Sequence, residues 1–326
     1  MAYNDIITRT DASALIPEDV SREIIQNVPE QSSVLRLGRR LPNMTTAQRR
    51  MPVLSMLPFA YFVNGDTGLK QTTQLKWANK YINAEELACI VPIPEAVLDD
   101  VAYPIWGQAR PMIEEAIAAK FDGAVLHGVD KPSNWPTDIA AAAAAAGNSV
   151  DLSTEIAAGK DVYDVILGED GVVSKVEVDG FMPSGHIAAM MMRGKLRGVR
   201  AKVYDGSSTA NLGNPIFTRS MQEGSRYMLD GEPILFPKLG ALDPTAVLMF
   251  TGAFDELVYS IRQDITFKVL DQAVITDGAG NIVYNLAQQD MVALRVVIRL
   301  GWEVPNPINR LQQTEANRYP FSVLVP

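Results

Sequence analysis

FDELVYSIRQDITFKVL, residues 254–270, decides how this chain is read. At every second position from 257 to 269 stand Leu, Tyr, Ile, Gln, Ile, Phe and Val, and between them Val, Ser, Arg, Asp, Thr and Lys. A period of two over this length predicts a strand with one buried and one wet face. A second such strand is predicted over 292–302, with Val292, Leu294, Val296, Ile298, Leu300 and Trp302 inward and Arg295 and Arg299 outward. Between them DGAGN, residues 277–281, signals a turn. The C-terminal third therefore holds a long antiparallel pair whose outer face carries Arg262, Asp264, Lys268, Arg295 and Arg299. Whether water or another chain meets that face is the functional question.

Outward from that pair, 326 residues suffice for one large domain or two ordinary ones, and 47% hydrophobic content is enough for a core. The first twenty residues lack the basic and apolar regions of a secretory signal, and no apolar run is long enough to cross a bilayer. One cysteine, Cys89, excludes an intramolecular disulfide and fits a reducing compartment. A net charge of −9 argues against a dedicated nucleic-acid binder, which needs surplus Lys and Arg against phosphate.

The first dozen residues read as an extended arm, and a short helix follows over 17–29, with Pro and acids in its first turn. Residues 33–50 carry Arg36, Arg39, Arg40, Arg49 and Arg50, either a solvated or locally paired loop or an intersubunit contact. Over 51–82, PVLSMLPFAYFV and LKWANKYI read as two strands around a polar tip, NGDTGLKQTTQ, that holds Asp66 and Lys70. A lone two-stranded ribbon is not stable in water. This one carries Phe59, Tyr61, Phe62, Trp77 and Tyr81 on both faces, so either its own domain or a neighbouring subunit must cover it. A short strand and an acidic helix follow, and then a strong helical pattern over 104–127 that Pro111 is expected to kink or break. The alanine run near 139–147 reads as a helix or connector that buries little, 161–176 as a helix, PSGHIAAMMMRGKLRG as a short helix, and 215–237 as strand, loop and strand. Helices and antiparallel strands mix without βαβ alternation, so the class is α+β.

Signals for chemistry are weak. No zinc set can be assembled from one cysteine and two distant histidines, and neither a phosphate-binding glycine loop nor a nucleophile elbow is present. Ser184 and His186 stand close at an expected helix start, with no acid to orient the imidazole. His127 reads as a helix C-terminal dipole partner or a packed residue. The expectation is a protein with no catalytic, cofactor or metal residues.

The order of these features resembles the major capsid proteins of tailed bacteriophages, the Hong Kong 97-type shell fold. The N-terminal arm and helix, the aromatic ribbon, IPEAVLDD with the helix ending FDGAVLHG, and the closing strands LDGEPILF, TGAFDELVYSIRQDITFKVL and MVALRVVIRLGWEVPNPI carry the resemblance across nearly the whole chain. It implies an arm and short helix over 1–50, an extended hairpin loop over 51–82, a peripheral domain of 83–131 and 247–326 with a long spine helix, and an axial domain of 132–246. It implies self-assembly into hexamers and pentamers of an icosahedral shell around double-stranded DNA, without sequence-specific binding and without a membrane. Virion localisation, assembly in the host bacterial cytoplasm, a portal and a decoration protein belong to the same expectation. The short segment ahead of the first helix points to a separate scaffolding protein. The residues expected at subunit contacts are Arg39, Arg40, Arg49, Arg50, Phe59, Tyr61, Phe62, Asp66, Lys70, Trp77, Arg295 and Arg299. Lys70, Lys76 and Lys80, with Asn306, Asn309 and Asn317, are the partners a covalent Lys–Asn link would need, but non-covalent assembly is the default. Two readings stand beside this one: an encapsulin-type compartment on the same fold, and a soluble α+β hydrolase using Ser184.

Overall fold

The computed structural model describes residues 31–63, 68–100, 105–199, 203–204, 209–210 and 228–326. The helix expected over 17–29, Asp66 and most of the segment expected over 215–237 lie outside them. In chain order, α1 (Ser33–Leu37) and β1 (Arg39–Arg40) precede a hairpin of β2 (Gln48–Met56) and β3 (Lys76–Asn83). β4 (Glu85–Pro94) and α2 (Glu95–Asp100) lead to the long α3 (Ile105–His127). There follow α4 (Ile139–Ala146), β5 (Ser149–Asp151), α5 (Leu152–Ala157), α6 (Val162–Leu167), α7 (Val172–Val178), β6 (Gly185–Ala188) and α8 (Met192–Gly198). Short strands β7 (Val203–Tyr204), β8 (Thr209–Ala210), β9 (Met228–Leu229) and β10 (Glu232–Leu235) come before β11 (Met249–Gly252). The chain closes with β12 (Val258–Leu270), the hairpin β13 (Val274–Thr276) and β14 (Ile282–Asn285), β15 (Met291–Glu303) and β16 (Phe321–Val325).

The long pair belongs to a four-stranded sheet in the order β1-β12-β15-β4. β15 is internal, and Ala293 and Val297 on its expected outer face are as buried as Leu294 and Val296 on the other. β12 starts with four buried residues and alternates only from Arg262 onward. The expected single wet face is thus confined to the far half of β12, because β1 and the 41–44 segment pack on its first half. Gly301 marks a close crossing, since a Cβ there would lie 2.2 Å from the Asn83 carbonyl oxygen. The hairpin therefore leaves the sheet in backbone contact with β15. DGAGN turns the separate β13–β14 hairpin, with the Asp277 carboxylate accepting from the amides of Ala279 (2.9 Å) and Asn281 (2.8 Å).

α3 lays Ile113, Ile117, Phe121, Ala124 and Val125 against this sheet. Pro111 sits inside the helix without ending it, so of the expected kink or break the break does not occur. A proline costs one backbone hydrogen bond, here near the start of a helix whose later turns are held by burial. An edge-to-face chain runs from Phe121 to Trp135 (5.8 Å) and from Trp135 to Trp302 (6.5 Å). Asp122, buried on the same helix, accepts from the backbone N–H groups of Ser33 (2.8 Å) and Val34 (3.4 Å) and from the Ser32 hydroxyl. A carboxylate from the spine helix thus satisfies the open N-terminal donors of α1.

A second sheet runs β5-β16-β11-β6-β10-β9. Phe250, Phe321 and Val323 face the core under α3, while Met249 and Leu324 join a second core with Val165, Ile166, Val173 and Met192. β11 and β16 are one wall between two cores, and both pair with strands of the central segment, β11 with β6 and β16 with β5. Two local expectations are corrected. The helix expected over 161–176 is two helices, α6 and α7: Gly168 is extended (ψ 177°), where a Cβ would meet the Asp164 carbonyl oxygen at 2.4 Å, and Asp170 turns at φ 61°. GHIA is the fully buried strand β6 rather than the start of a helix, because it pairs on both sides, with β11 and β10. The alanine run is the expected helix: Asp138 caps α4, Gly147 closes it at φ 86°, and of the seven alanines Ala143 is inaccessible while Ala141, Ala144 and Ala145 stay exposed.

Replacing Asp122 with Ala strands three donors in the core. The unfolding free energy of the unassembled chain in urea should fall by about 3 kcal/mol, and by less for Asp122→Asn, which keeps an acceptor.

Candidate assembly surface

β2 and β3 pair from Gln48↔Asn83 to Met56↔Lys76, slightly beyond the expected 51–82 at the root. The first arm stops being a strand at Met56, short of the expected PVLSMLPFAYFV, and Pro58 follows with no N–H to continue a ladder. Beyond it the chain is held by sparse bonds: Tyr61 Oη donates to the Gln71 carbonyl (3.1 Å) and the Phe59 amide donates to Thr73 Oγ1 (3.2 Å). The aromatics are bare. Phe62 is fully exposed, Trp77 65% and Phe59 56% exposed, and Tyr61, Leu69 and Tyr81 are also open. Among the described residues, none covers these aromatics of the ribbon.

Its root, by contrast, is braced by residues 306–318. The Ile308 amide donates to the Leu54 carbonyl (3.3 Å), Arg310 Nη2 to the Pro58 carbonyl (3.0 Å), and Lys80 pairs with Glu315 at 2.9 Å. The brace is fixed by Arg318, 3% exposed, which donates to Asn306 Oδ1 (3.1 Å) and to the Gln312 carbonyl (2.7 Å). Asn306 Nδ2 donates back to the Arg318 carbonyl (2.7 Å), and Asn309 Nδ2 reaches the Asp179 carbonyl (2.6 Å). The amides of Asn306 and Asn309 and the ammonium of Lys80 are thus engaged within the chain. Sequence reasoning overlooked this brace. Its signal was Pro305-Asn306-Pro307, a rigid segment directly after a strand.

Under the root lies a cavity of about 480 Å³ lined by Lys80, Asn83, Trp135, Trp302, Glu303 and Tyr319 among others. Asn83 Nδ2 donates to the Asn134 carbonyl (2.7 Å), and Trp135 Nε1 donates to the Asn83 carbonyl (3.1 Å). Burial pushes the Glu303 carboxyl up to about 7, against the opposing pull of Lys80 and the Val304 amide. Burial likewise raises the Tyr319 phenol, reinforced by Glu303 and Asp138.

The remaining charged candidates divide. Arg49 is spent on its own chain, donating to the carbonyls of Pro42 (2.6 Å) and Asn43 (3.1 Å), and it helps fold the 41–47 loop. Arg299 pairs with Glu86 on the adjacent strand, at 2.8 and 2.5 Å. Arg40 reaches Asn43 Oδ1 (3.1 Å), and Arg39, Arg50, Lys70 and Arg295 are exposed. Residues 33–50 are therefore no plain loop: α1, β1 and the start of β2 occupy most of them.

Ser184 and His186 take different partners. The Ser184 hydroxyl oxygen accepts the Phe254 amide (2.9 Å), and His186 Nδ1 bonds Thr251 Oγ1 (3.0 Å), in a site whose burial lowers its pKa to about 4. His127 Nε2 accepts the Asp243 amide (3.2 Å), and its ring meets Phe250 edge-on at 5.3 Å. Burial lowers its pKa against the opposing pull of Asp243 and Asp138, so it is a packed neutral acceptor rather than a cationic dipole partner. Among the described residues no group of three His, Cys, Asp or Glu could hold a metal ion, and no helix is long and apolar enough to cross a membrane.

A model described as the phage capsid family matches residues 12–309. The chain is 24% identical over 308 residues to the major capsid protein of Staphylococcus phage 80alpha, covering 92% of this chain and 85% of that one. It is similar to a solved chain from Mycobacterium phage Bobi at 29% identity and TM-score 0.80, over 99% of both chains. A chain from Mycobacterium phage Adephagia matches at 30% identity and TM-score 0.79, over 99% of this chain and 98% of that one.

Glu303 gives the chain a pH dependence of known sign. Its folded pKa lies above the ordinary value, so its contribution is full below about pH 4.5 and is lost as pH rises to about 7. Urea unfolding between pH 5 and pH 8 should show the unassembled wild type losing up to about 3 kcal/mol relative to Glu303→Gln. Parallel profiles for the two proteins would refute this placement of the charge.

Proposed function

The chain belongs to the phage capsid family and has the Hong Kong 97-type shell fold, and from that premise we propose that it is the major capsid protein of a tailed phage, assembling as hexamers and pentamers into an icosahedral shell around double-stranded DNA. The observation that carries the reading is the braced, aromatic, uncovered hairpin. Phe59, Phe62 and Trp77 stand in water in the single chain. Covering each aromatic contributes about 2 kcal/mol or more, and a sister copy supplies that cover without any new component. The brace of 306–318 fixes the direction in which the hairpin leaves the root, which a shell of repeated geometry requires.

In this reading the four-stranded sheet and α3 form the peripheral domain, drawn from 83–131 and most of the chain after 252. The axial domain is 132–246 with β11 and β16 added as its shared wall. Arg39, Arg50, Lys70 and Arg295, exposed in the single chain, are the remaining contact candidates. The negative net charge keeps packaged DNA from adhering to the wall. A separate scaffolding protein, a portal and a decoration protein complete the proposed partners, with assembly in the host cytoplasm and the finished protein in the virion.

The test is the purified chain under negative stain, with nucleic acid measured in the particles. Shells hundreds of ångströms across with DNA after packaging support the reading, and a stable compact monomer refutes it. Phe62→Ser with Trp77→Ser should cut shell yield about tenfold or more, while far-UV circular dichroism and the melting temperature of the unassembled chain stay at wild-type values. Normal shells from this variant would remove the hairpin from the assembly.

A further inference from the structure

We propose that the face of the four-stranded sheet turned away from α3 is a seat for a carboxylate of a sister copy, held between Lys268 and Arg295. This rests on the shell reading and adds to it a named seat and the force that fills it. Lys268 of β12 and Arg295 of β15 stand directly opposite each other across the strands. Side chains in that register start about 5 Å apart, and like charges so placed destabilise the sheet that carries them. Both are exposed. Among the described residues neither makes an ion pair or a side-chain hydrogen bond, whereas Arg299, further along the same strand, is answered by Glu86 at 2.8 Å. Asp271, Asp290 and Glu95 stand exposed just past the ends of these strands, and none of them pairs with either cation.

The surroundings suit a protein contact as well as a charge. In the same row β4 places Ile90, 42% exposed, opposite Arg295. In the next row Thr266, Val297 and Ala88 face one another, and their short side chains leave the sheet surface low. Leu294 and Val296, pointing the other way, are already spent on the core under α3. The two cations therefore stand over an apolar strip that their own core does not use. A protein segment that brings a carboxylate together with apolar surface fits such a strip.

Charge and stoichiometry select the occupant. Every copy carries the repulsion, so relief must be available to every copy, and the sister chain is the component a shell holds at that ratio. The sister's hairpin has the wrong sign, since residues 48–83 hold five bases and one acid. The rest of the chain is correspondingly more acidic than the net charge of −9, so the carboxylate comes from the sister's body. A repulsion present in the single chain and relieved on contact biases the equilibrium toward the assembled form.

The test is carbodiimide coupling, which joins an amine to a carboxylate in direct contact as an amide. It is applied to shells assembled from equal parts of unlabelled and isotope-labelled chain, and the joined peptides are read by mass spectrometry. Lys268 should couple to an Asp or Glu outside residues 48–83, in mixed-label pairs, in shells and not in the unassembled chain. Lys268→Gln and Arg295→Gln should each raise the melting temperature of the unassembled chain by about 1 °C at low salt. That gain should disappear near 1 M salt. The same variants should need about threefold more protein to form shells. The proposal is overturned if Lys268 couples only within one copy, couples to the hairpin or to a different protein, or couples to nothing in shells. It is overturned equally if the variants form shells at the wild-type concentration, including shells that only retain less DNA. A wild-type chain that never forms shells would sink the shell reading, and this inference with it; shells in which Lys268 stays uncoupled sink this inference alone.

Discussion

The strand from Met291 to Glu303 leaves no side of itself unused. β12 and β4 take its two edges along most of its length. Leu294, Val296, Ile298 and Leu300 fill the core under α3, while Ala293 and Val297 are closed off on the opposite face. At Gly301 the backbone of β3 crosses so closely that no side chain fits. A strand saturated in this way fixes what surrounds it: α3 must lie along one face, and the hairpin must leave at the end where Gly301 admits it. Rigidity here comes from close packing, in which small displacements cost contact energy at many atoms at once.

That rigid body does not close over all of its own surface. Main-chain bonds, an ion pair and a buried arginine clamp hold the hairpin at its root, yet its outer part shows Phe59, Phe62, Leu69 and Trp77 to water. A ribbon stabilised only by its own ladder is marginal. The brace supplies order where the chain can afford it, and the exposed aromatics supply the affinity that only another molecule can satisfy. Glu303 sits between the two, a carboxyl that burial keeps protonated up to near neutrality beside the lysine that anchors β3.

The legible parts of the sequence were those where one pattern served one environment. The period of two from 292 to 302 and the helical stripe through Ile113, Ile117, Phe121 and Val125 face a single core, and both were found. The aromatic ribbon could be read because aromatics on both faces contradict an ordinary surface hairpin. Legibility failed where tertiary pairing decided. GHIA, a short apolar run before a basic helix, carries no periodicity to separate strand from helix. Residues 161–176 have helical spacing throughout, and only the backbone clash at Gly168 divides them. Among the candidate contacts, Phe59, Phe62 and Trp77 stand exposed, whereas Arg49 is consumed by carbonyls of its own loop, a choice between local pairing and contact that a list of charges does not make. The Arg318–Asn306 clamp joins positions twelve apart across an irregular segment, which no propensity rule reaches.

The two kinds of exposed surface, apolar and charged, respond to the solution in opposite senses. Apolar contact of the hairpin strengthens when salting-out ions are added, because burial is driven by water's exclusion of nonpolar area. Attraction through exposed charges such as Arg39, Arg50, Lys70 and Arg295 weakens as the Debye length falls from about 10 Å at 0.1 M to about 3 Å at 1 M. The electrostatic part acts at a distance and orients copies before they touch, whereas the aromatic part acts only at contact and slows their separation. In a shell built from many copies this division has a consequence. Early contacts governed by screened charge remain reversible, so a misplaced copy can leave, and only a copy whose neighbour lies where the braced hairpin points gains the buried aromatic area that holds it. Correct geometry is then selected by the rigidity of the root at Gly301 and the 306–318 brace, since a hairpin free to swing would reward wrong neighbours as readily as right ones.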